Sequence, residues 1–485
     1  MGNYTQVDDM KLKSPIPELQ GCDGFDCIEK YVNFDDGAFS WGQPAGDHGE
    51  TNGVKWASYT LRMSSQAWMA DETLKSAWTH RITIFVPETY QGGMKNSDVA
   101  ALFIDQTVDT WAAQNMAVET GVVTASVSDV PNQDLTFPVT GHNLAEEDLK
   151  AWSWHKFVED AEHPEWPLEM PDVKAVVRAM DAIAAYTHQG TLPKVNRFIV
   201  TGHSKRAMAA WMVGAVDKRV EAIVPLGMPL NLLQVGQEAA KDIGGIVPYS
   251  RPYLEYGDLN LTKEQVTKLA AINDPVHYIK RLTIPKLLIL SGADDFFPPD
   301  CTRSWWGDLP KPKHIYVYGK GRHYGYDIKW NNGNKFLEVA GAFVSRIVYG
   351  DAMPEIAWKI DNQDGTIMVK QVSNHTPSAV RVFGAKTKDQ GETRDFRNSD
   401  WMFYRFVKPT EQNDRIWLVK SPERVKWVGF FVAFEYEPVR PGGLPVRLTT
   451  EVSVTPSTRP FPDADGTLPE WQDVIDPPED SFGLR

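Results

Sequence analysis

The chain is poor in cysteine, with three in 485 residues, too few for a scaffold built on disulfides. Cys22 and Cys27 are close enough in sequence to bridge around a small loop or to stay plain thiols, and Cys301 is left over. Nothing reaches the roughly 18 consecutive apolar residues of a membrane helix, and the first residues hold no apolar core of an export signal. No membrane span is expected, and the chain reads as either cytoplasmic or already processed. Basic residues are the minority, 50 Lys and Arg against 64 Asp and Glu, giving a net charge of −14 and a pI near 5.3. That balance argues against nucleic acid or an anionic membrane as partner; it would steer a cationic peptide, or simply keep the protein soluble. Repeats and low-complexity tracts are absent. So is metal-ligand spacing: His155 and His163 lie eight apart on one expected helix with no third ligand, and neither metal nor cofactor is expected.

What is present is an ordinary folded composition, 42% hydrophobic and 24% charged, on a chain too long for a single core. Residues 1–50 are polar and rich in Gly, Asp and Pro, and read as a wrapping arm. From 51 to 351, strands at 57–62, 80–86, 100–104, 121–126, 197–200, 220–224, 286–290 and 313–318 alternate with helical patterns at 144–162, 171–188, 207–216 and 336–348. That alternation predicts an α/β fold with a mostly parallel sheet covered by helices. Near residue 352 the helical period ends. Short alternating runs at 367–372, 379–383, 415–419, 427–433 and 448–454 predict an antiparallel β-sandwich domain over 352–460, followed by an acidic, proline-rich tail over 461–485.

The stretch Val200-Thr-Gly-His-Ser-Lys-Arg-Ala207 carries the chemistry. A buried strand runs into a helix former through Gly202, so the Ser204 hydroxyl is expected on a sharp elbow above a helix N-terminus, as in an α/β-hydrolase. The pattern is Gly-x-Ser-x-Arg, without the second glycine. In that fold the chain order is Ser, acid, His. Strand 286–290 runs into Ser291-Gly-Ala-Asp-Asp-Phe-Phe-Pro-Pro299, where Asp294 is the first choice for the acid and Asp295 the second. Strand 313–318 runs into the glycine-rich loop 319–325, which holds His323; His314 and His375 are the weaker candidates.

A serine hydroxyl is a poor nucleophile at neutral pH, so His323 is expected to take its proton and Asp294 to fix the ring. The oxyanion hole is expected from the N–H of Lys205 and from Gln106 or Thr107 in the loop after strand 100–104, a loop without glycines. Arg206 and Tyr324, with Asn132 and Gln133, are candidates for lining the substrate site, although Lys205 and Arg206 could equally pair with a carboxylate behind the elbow. Among 17 tryptophans, Trp152, Trp154, Trp305 and Trp306 could build an aromatic cleft or serve as packing.

These residues resemble the PhoPQ-activated pathogenicity-related proteins, whose elbow reads Gly-x-Ser-Lys-Arg. The resemblance extends through Ser64-Ser-Gln-Ala-Trp68, Val130-Pro-Asn-Gln133, Trp166-Pro-Leu-Glu-Met-Pro171, Arg178-Ala-Met-Asp181, Asp274-Pro275, Asp294-Asp-Phe-Phe297 and Asp395-Phe-Arg397, in order, across residues 25 to 460. Ala207 departs from the family's glycine. The resemblance implies a serine hydrolase of peptidase-like or esterase-like ancestry, acting on a peptide or an ester, a carbohydrate ester included. It favours Asp294 over Asp295 as the acid, and it implies a secreted or periplasmic location. The alternative is a secreted binding or signalling protein with an idle site. Neither substrate nor oligomeric state is legible.

Overall fold

A computed structural model describes residues 16–69, 77–90, 94–257, 261–319, 321–323, 334–389, 391–423 and 426–464. Two compact units are present, each assembled from several chain segments. The first takes Met1–Pro225, Pro252–Pro285 and Ile347–Asp351. Its strands are β1 (Ser40–Thr51), β2 (Val54–Ala67), β3 (Ala77–Pro87), β4 (Val99–Ile104), β5 (Thr124–Val127), the small pair β6 (Leu135–Thr136) and β7 (Asn143–Leu144), β8 (Arg197–His203) and β9 (Val220–Leu226). Apart from that pair they lie in the order β1-β2-β3-β5-β4-β8-β9. β1, β2, β3 and β5 are antiparallel neighbours, whereas β5, β4 and β8 run parallel. An antiparallel edge leading into a parallel centre, with β5 inserted before β4, is the sheet of an α/β-hydrolase.

The sequence builds this centre by burying both faces. Every residue of β4 and β5 is buried, which is why β4 reads as an unbroken apolar run rather than an alternating one, while β5 encloses Thr124 and Ser126 as well. Around them lie α1 (Phe25–Asn33), α2 (Trp111–Thr120), α3 (Glu146–Glu159), α4 (Glu169–Thr187), α5 (Lys205–Val216) and α8 (Lys263–Asn273). α5 is buried on every side from Lys205 to Gly214. Each enclosed Val, Ile or Met contributes about 1.5–3 kcal/mol, so the helix behind the elbow is among the best anchored pieces of the chain.

The segment read as a polar arm contains α1 and β1. Cys22 and Cys27 are bridged, and α1 buries Cys27, Ile28, Tyr31 and Val32 on one face. β1 escaped sequence reading because Gly42, Pro44, Gly46 and Gly49 weaken strand propensity. It forms at the sheet edge, where the register shifts between Gly42 and Ala45 and so accommodates Pro44.

The second unit takes Leu226–Arg251, Lys286–Arg346 and Ala352–Arg485. It holds α6 (Leu232–Ile243), which the short α7 (Arg251–Glu255) follows, the parallel strands β10 (Lys286–Ser291) and β11 (Lys313–Tyr318), and the start of α9 (Asn334–Tyr349). Two antiparallel sheets complete it. One is β12 (Ile356–Ile360), β13 (Ile367–Gln371) and β16 (Ile416–Val419). The other is built from β14 (Ala379–Lys386), β15 (Met402–Phe406), β17 (Val428–Tyr436), β18 (Val446–Thr449) and β19 (Ser453–Thr455). They face each other through Trp417 against Phe434, 5.2 Å between ring centroids, and through the Tyr436 hydroxyl donating to Gln371 Oε1 at 2.6 Å. This is the sandwich expected from the alternating runs. β12 and β15 were not foreseen, and the single run at 448–454 is two strands, broken where Thr450 donates its amide to Val432.

Candidate active site

In the first unit, β8 passes into α5 through one residue. Ser204 takes φ 55° and ψ −124°, a backbone conformation that side-chain-bearing residues rarely occupy and that clusters at functional sites. Gly202 makes the elbow possible: a Cβ there would sit 2.6 Å from the Arg206 carbonyl oxygen, so the first turn of α5 can close on the strand only over a glycine. At Ala207, where the resembling family has glycine, the methyl is fully buried in the packing of α5.

The two cations after the serine are held inside the protein. Lys205 Nζ pairs with Glu146 and, at 2.7 Å, with Glu147 Oε1. Arg206 donates from Nη2 to Glu146 Oε1 at 2.9 Å and from Nε to the Val130 carbonyl at 2.7 Å. Arg206, expected to line the substrate site, thus spends its guanidinium on internal partners, because a buried fork of donors must be satisfied. Glu146, the first residue of α3, has φ 50°. Burial pushes its carboxyl up, but Arg206 and Lys205 outweigh burial and bring it down to about 2. Sequence reasoning foresaw a carboxylate behind the elbow but not which one; the acidic run Glu146-Glu147-Asp148 was the available signal.

The other expected positions in this unit are also engaged. The amides of Gln106 and Thr107 both donate to Asp105 Oδ1, at 2.7 and 3.1 Å. Asn132 is 2% exposed and donates to the Thr79 carbonyl at 2.6 Å. Gln133 exchanges two hydrogen bonds with Glu146, accepting its amide at 2.8 Å and donating to Oε1 at 2.6 Å. Asn132 and Gln133 therefore hold the loop and the start of α3. His155 lies on α3 near Glu159, while His163 falls past the helix end beside Asp160 and Glu165. Trp152 packs on Phe137 and Tyr256, and Trp154 on Tyr253.

In the second unit the loops after β10 and β11 bring a carboxylate to an imidazole. His323 Nδ1 lies 3.0 Å from both Asp294 Oδ1 and Oδ2, and both side chains are almost fully buried. Asp294 Oδ1 also accepts the amides of Phe296 and Phe297 at 2.8 and 3.2 Å, which fixes the carboxylate from behind. The Phe296 ring packs on His323 at 4.4 Å and stacks on Tyr249 at 4.6 Å. Between the two adjacent acids, Asp294 is the one against the ring. Burial, and then the Asp294 charge, push Asp295 up to about 6. His314 starts β11 as a core residue, and burial holds it down to about 4. Trp305 and Trp306 are buried, and Trp306 stacks on Trp358. Tyr324 lies outside the described residues. Among the described residues no cluster of His, Cys, Asp or Glu could hold a metal, and no helix is long and apolar enough to cross a membrane.

Comparison with known proteins gives a family match over residues 28–397, to the family described as PhoPQ-activated pathogenicity-related protein. A curated relative, the Autocrine proliferation repressor protein A of Dictyostelium discoideum, is 28% identical over 466 residues, covering 90% of this chain and 91% of that protein. Similar solved structures include acetyl xylan esterase 1 from Thermoanaerobacterium, at 16% identity and a TM-score of 0.45 over 68% of this chain and 96% of the other. Another is the acylaminoacyl peptidase of Pyrococcus horikoshii, at 16% identity and a TM-score of 0.38 over 64% of this chain and 42% of the other.

Proposed function

Since the chain belongs to the PhoPQ-activated pathogenicity-related protein family, matched over residues 28–397, we propose that it is a serine hydrolase that cleaves an ester or amide bond through an acyl-enzyme on Ser204. The observation that carries this reading is the Ser204 elbow, a strained serine at a strand-to-helix turn with an obligatory glycine two residues before it. In this reading His323 Nε2 removes the Ser204 proton and returns it to the leaving group, while Asp294 keeps the Nδ1 proton in place and stabilises the imidazolium. The Lys205 amide, in the first turn of α5 where N–H groups lack helical partners, stabilises the oxyanion. A second donor comes from Gln106 or Thr107, which must exchange Asp105 for the oxyanion.

A fluorophosphonate probe followed by peptide mapping tests this. Ser204 is expected to carry the label, Ser204→Ala and His323→Ala to abolish labelling and ester hydrolysis, and His314→Ala to keep both. Labelling at another serine, or death of the His314 variant with survival of the His323 variant, defeats the proposal.

A second reading draws on the relative whose printed name is an autocrine proliferation repressor, 28% identical over 90% of this chain. Here the protein is a secreted signal that needs no catalysis, and Ser204→Ala would keep its effect on cells. Export itself is part of the proposal, supported by the Cys22–Cys27 bridge, which belongs in an oxidising compartment. Trapping free thiols in protein taken from its native source should modify neither cysteine.

A further inference from the structure

The second unit joins the loops of Asp294 and His323 to the C-terminal β-module, and one side chain of that module touches the root of both. Trp401 is 1% exposed. Its side chain occupies the space of two missing side chains: a Cβ at Gly292 would meet the indole ring at 2.5 Å, and one at Gly319 would meet Trp401 Cβ at 2.9 Å. Gly292 stands two residues before Asp294, at the end of β10; Gly319 follows the last residue of β11 and stands four residues before His323. Behind the indole, Phe431 stacks at 5.6 Å, Phe396 lies at 6.1 Å, and Gly429 lets the ring approach β17.

The indole N–H finds no acceptor among the described residues. A buried donor without a partner is unfavourable, so what the ring contributes there is its shape and not a hydrogen bond. The far end of the acid loop is fixed by the same module. Arg394, fully buried, donates from Nη2 to Asp300 Oδ2 at 2.5 Å and from Nη1 to Asp242 Oδ2 at 2.8 Å. β11 is tied as well, with the Val317 amide donating to Thr449 Oγ1 on β18 at 3.0 Å.

We propose that Trp401 is a positioning residue that sets the Asp294 and His323 loops in register, with Arg394 fixing the far end of the acid loop, so that the C-terminal β-module is part of the catalytic apparatus. This rests on the hydrolase reading for its consequence, but the geometry it concerns is the Asp294–His323 hydrogen bond. Leverage is short: the indole bears on Gly292 and the Trp401 Cβ on Gly319, so one residue braces both loops, and each glycine is within four residues of the group it carries. A displacement of about 1 Å between acid and base can cost about 100-fold in rate.

The test uses the full chain and two readouts. One is the second-order rate of fluorophosphonate labelling. The other is the low-field proton resonance of His323 Nδ1–H against Asp294, identified by its loss in His323→Gln. Trp401→Ala and, separately, Gly292→Ala are expected to abolish the resonance and slow labelling by about 100-fold. Trp401→Phe, which keeps a flat ring, is expected to restore most of both. Trp417→Ala, a buried tryptophan of the same module packed on Phe434, should lower the melting temperature and leave both readouts unchanged. A wild-type resonance in either Trp401→Ala or Gly292→Ala overturns the proposal, as does a Trp417 variant that reproduces the losses. If Trp401→Ala does not fold, Gly292→Ala decides by the same criterion. A wild-type protein that shows the resonance but takes no label defeats the hydrolase reading instead.

Discussion

Replacing Asp294 by Asn changes one atom and reverses the hydrogen-bond logic of the dyad. The carboxylate presents two acceptors: Oδ1 takes the Phe296 and Phe297 amides, and both oxygens stand 3.0 Å from His323 Nδ1. An amide has one acceptor. The two backbone donors retain it at the Oδ1 position, so the Nδ2 donors turn toward the ring. Nδ1 must then accept, which moves the ring proton to Nε2, the nitrogen required to receive the serine proton. In serine proteases this wrong tautomer lowers kcat about 10⁴-fold, or about 5 kcal/mol of transition-state stabilisation. The fold should survive, since the isostere fits and the loss is one charge-assisted contact, about 1–3 kcal/mol. The assay compares probe labelling and ester turnover in Asp294→Asn and Asp295→Asn, with circular dichroism to verify folding. A loss below tenfold in the first variant, or equal losses in both, would refute the assignment of Asp294 as the acid.

Three further outcomes are expected. Asp295 has one carboxylate oxygen with no partner among the described residues, and burial with the Asp294 charge lifts its folded value to about 6 from 3.8; a raised carboxyl destabilises fully above its folded value and not at all below its unfolded one. Urea unfolding should therefore find Asp295→Asn more stable than wild type by about 3 kcal/mol at pH 8, with the gain fading between about pH 6 and 4; a gain independent of pH would contradict this. Gly202→Ala brings its methyl within 2.6 Å of the Arg206 carbonyl oxygen, and should abolish labelling while lowering the melting temperature; a fully labelled variant would mean that the elbow is not built on that contact. Reducing the Cys22–Cys27 bridge, which closes a loop of only a few residues, should cost about 2 kcal/mol in chemical denaturation and leave labelling unchanged, whereas loss of labelling would tie α1 to the site.

Legibility along the chain followed the range of the interactions involved. β4, β8 and β10 could be read because strands covered on both faces are nearly continuous apolar runs. The helix behind Ser204 was read from its composition. β1 could not be read, because its glycines and Pro44 obey the demands of an edge and a bulge, and its strand character is supplied by pairing with β2. β15 was missed for a related reason: Met402, Phe403 and Phe406 are exposed, so no alternation marks a buried face.

Local residue pattern was enough for the strand-turn-helix at Ser204 and for the change to antiparallel sheets after residue 352, because each is written in residues adjacent along the chain. Tertiary structure decided the partners. Arg206 turns inward to Glu146 across 60 residues, Asp294 rather than Asp295 meets a ring 29 residues away, and Trp401 fills the space that Gly292 and Gly319 leave open. A side chain's identity states what it can bond or fill. Which distant group arrives there depends on how the strands and loops pack, and a linear pattern carries no record of that geometry.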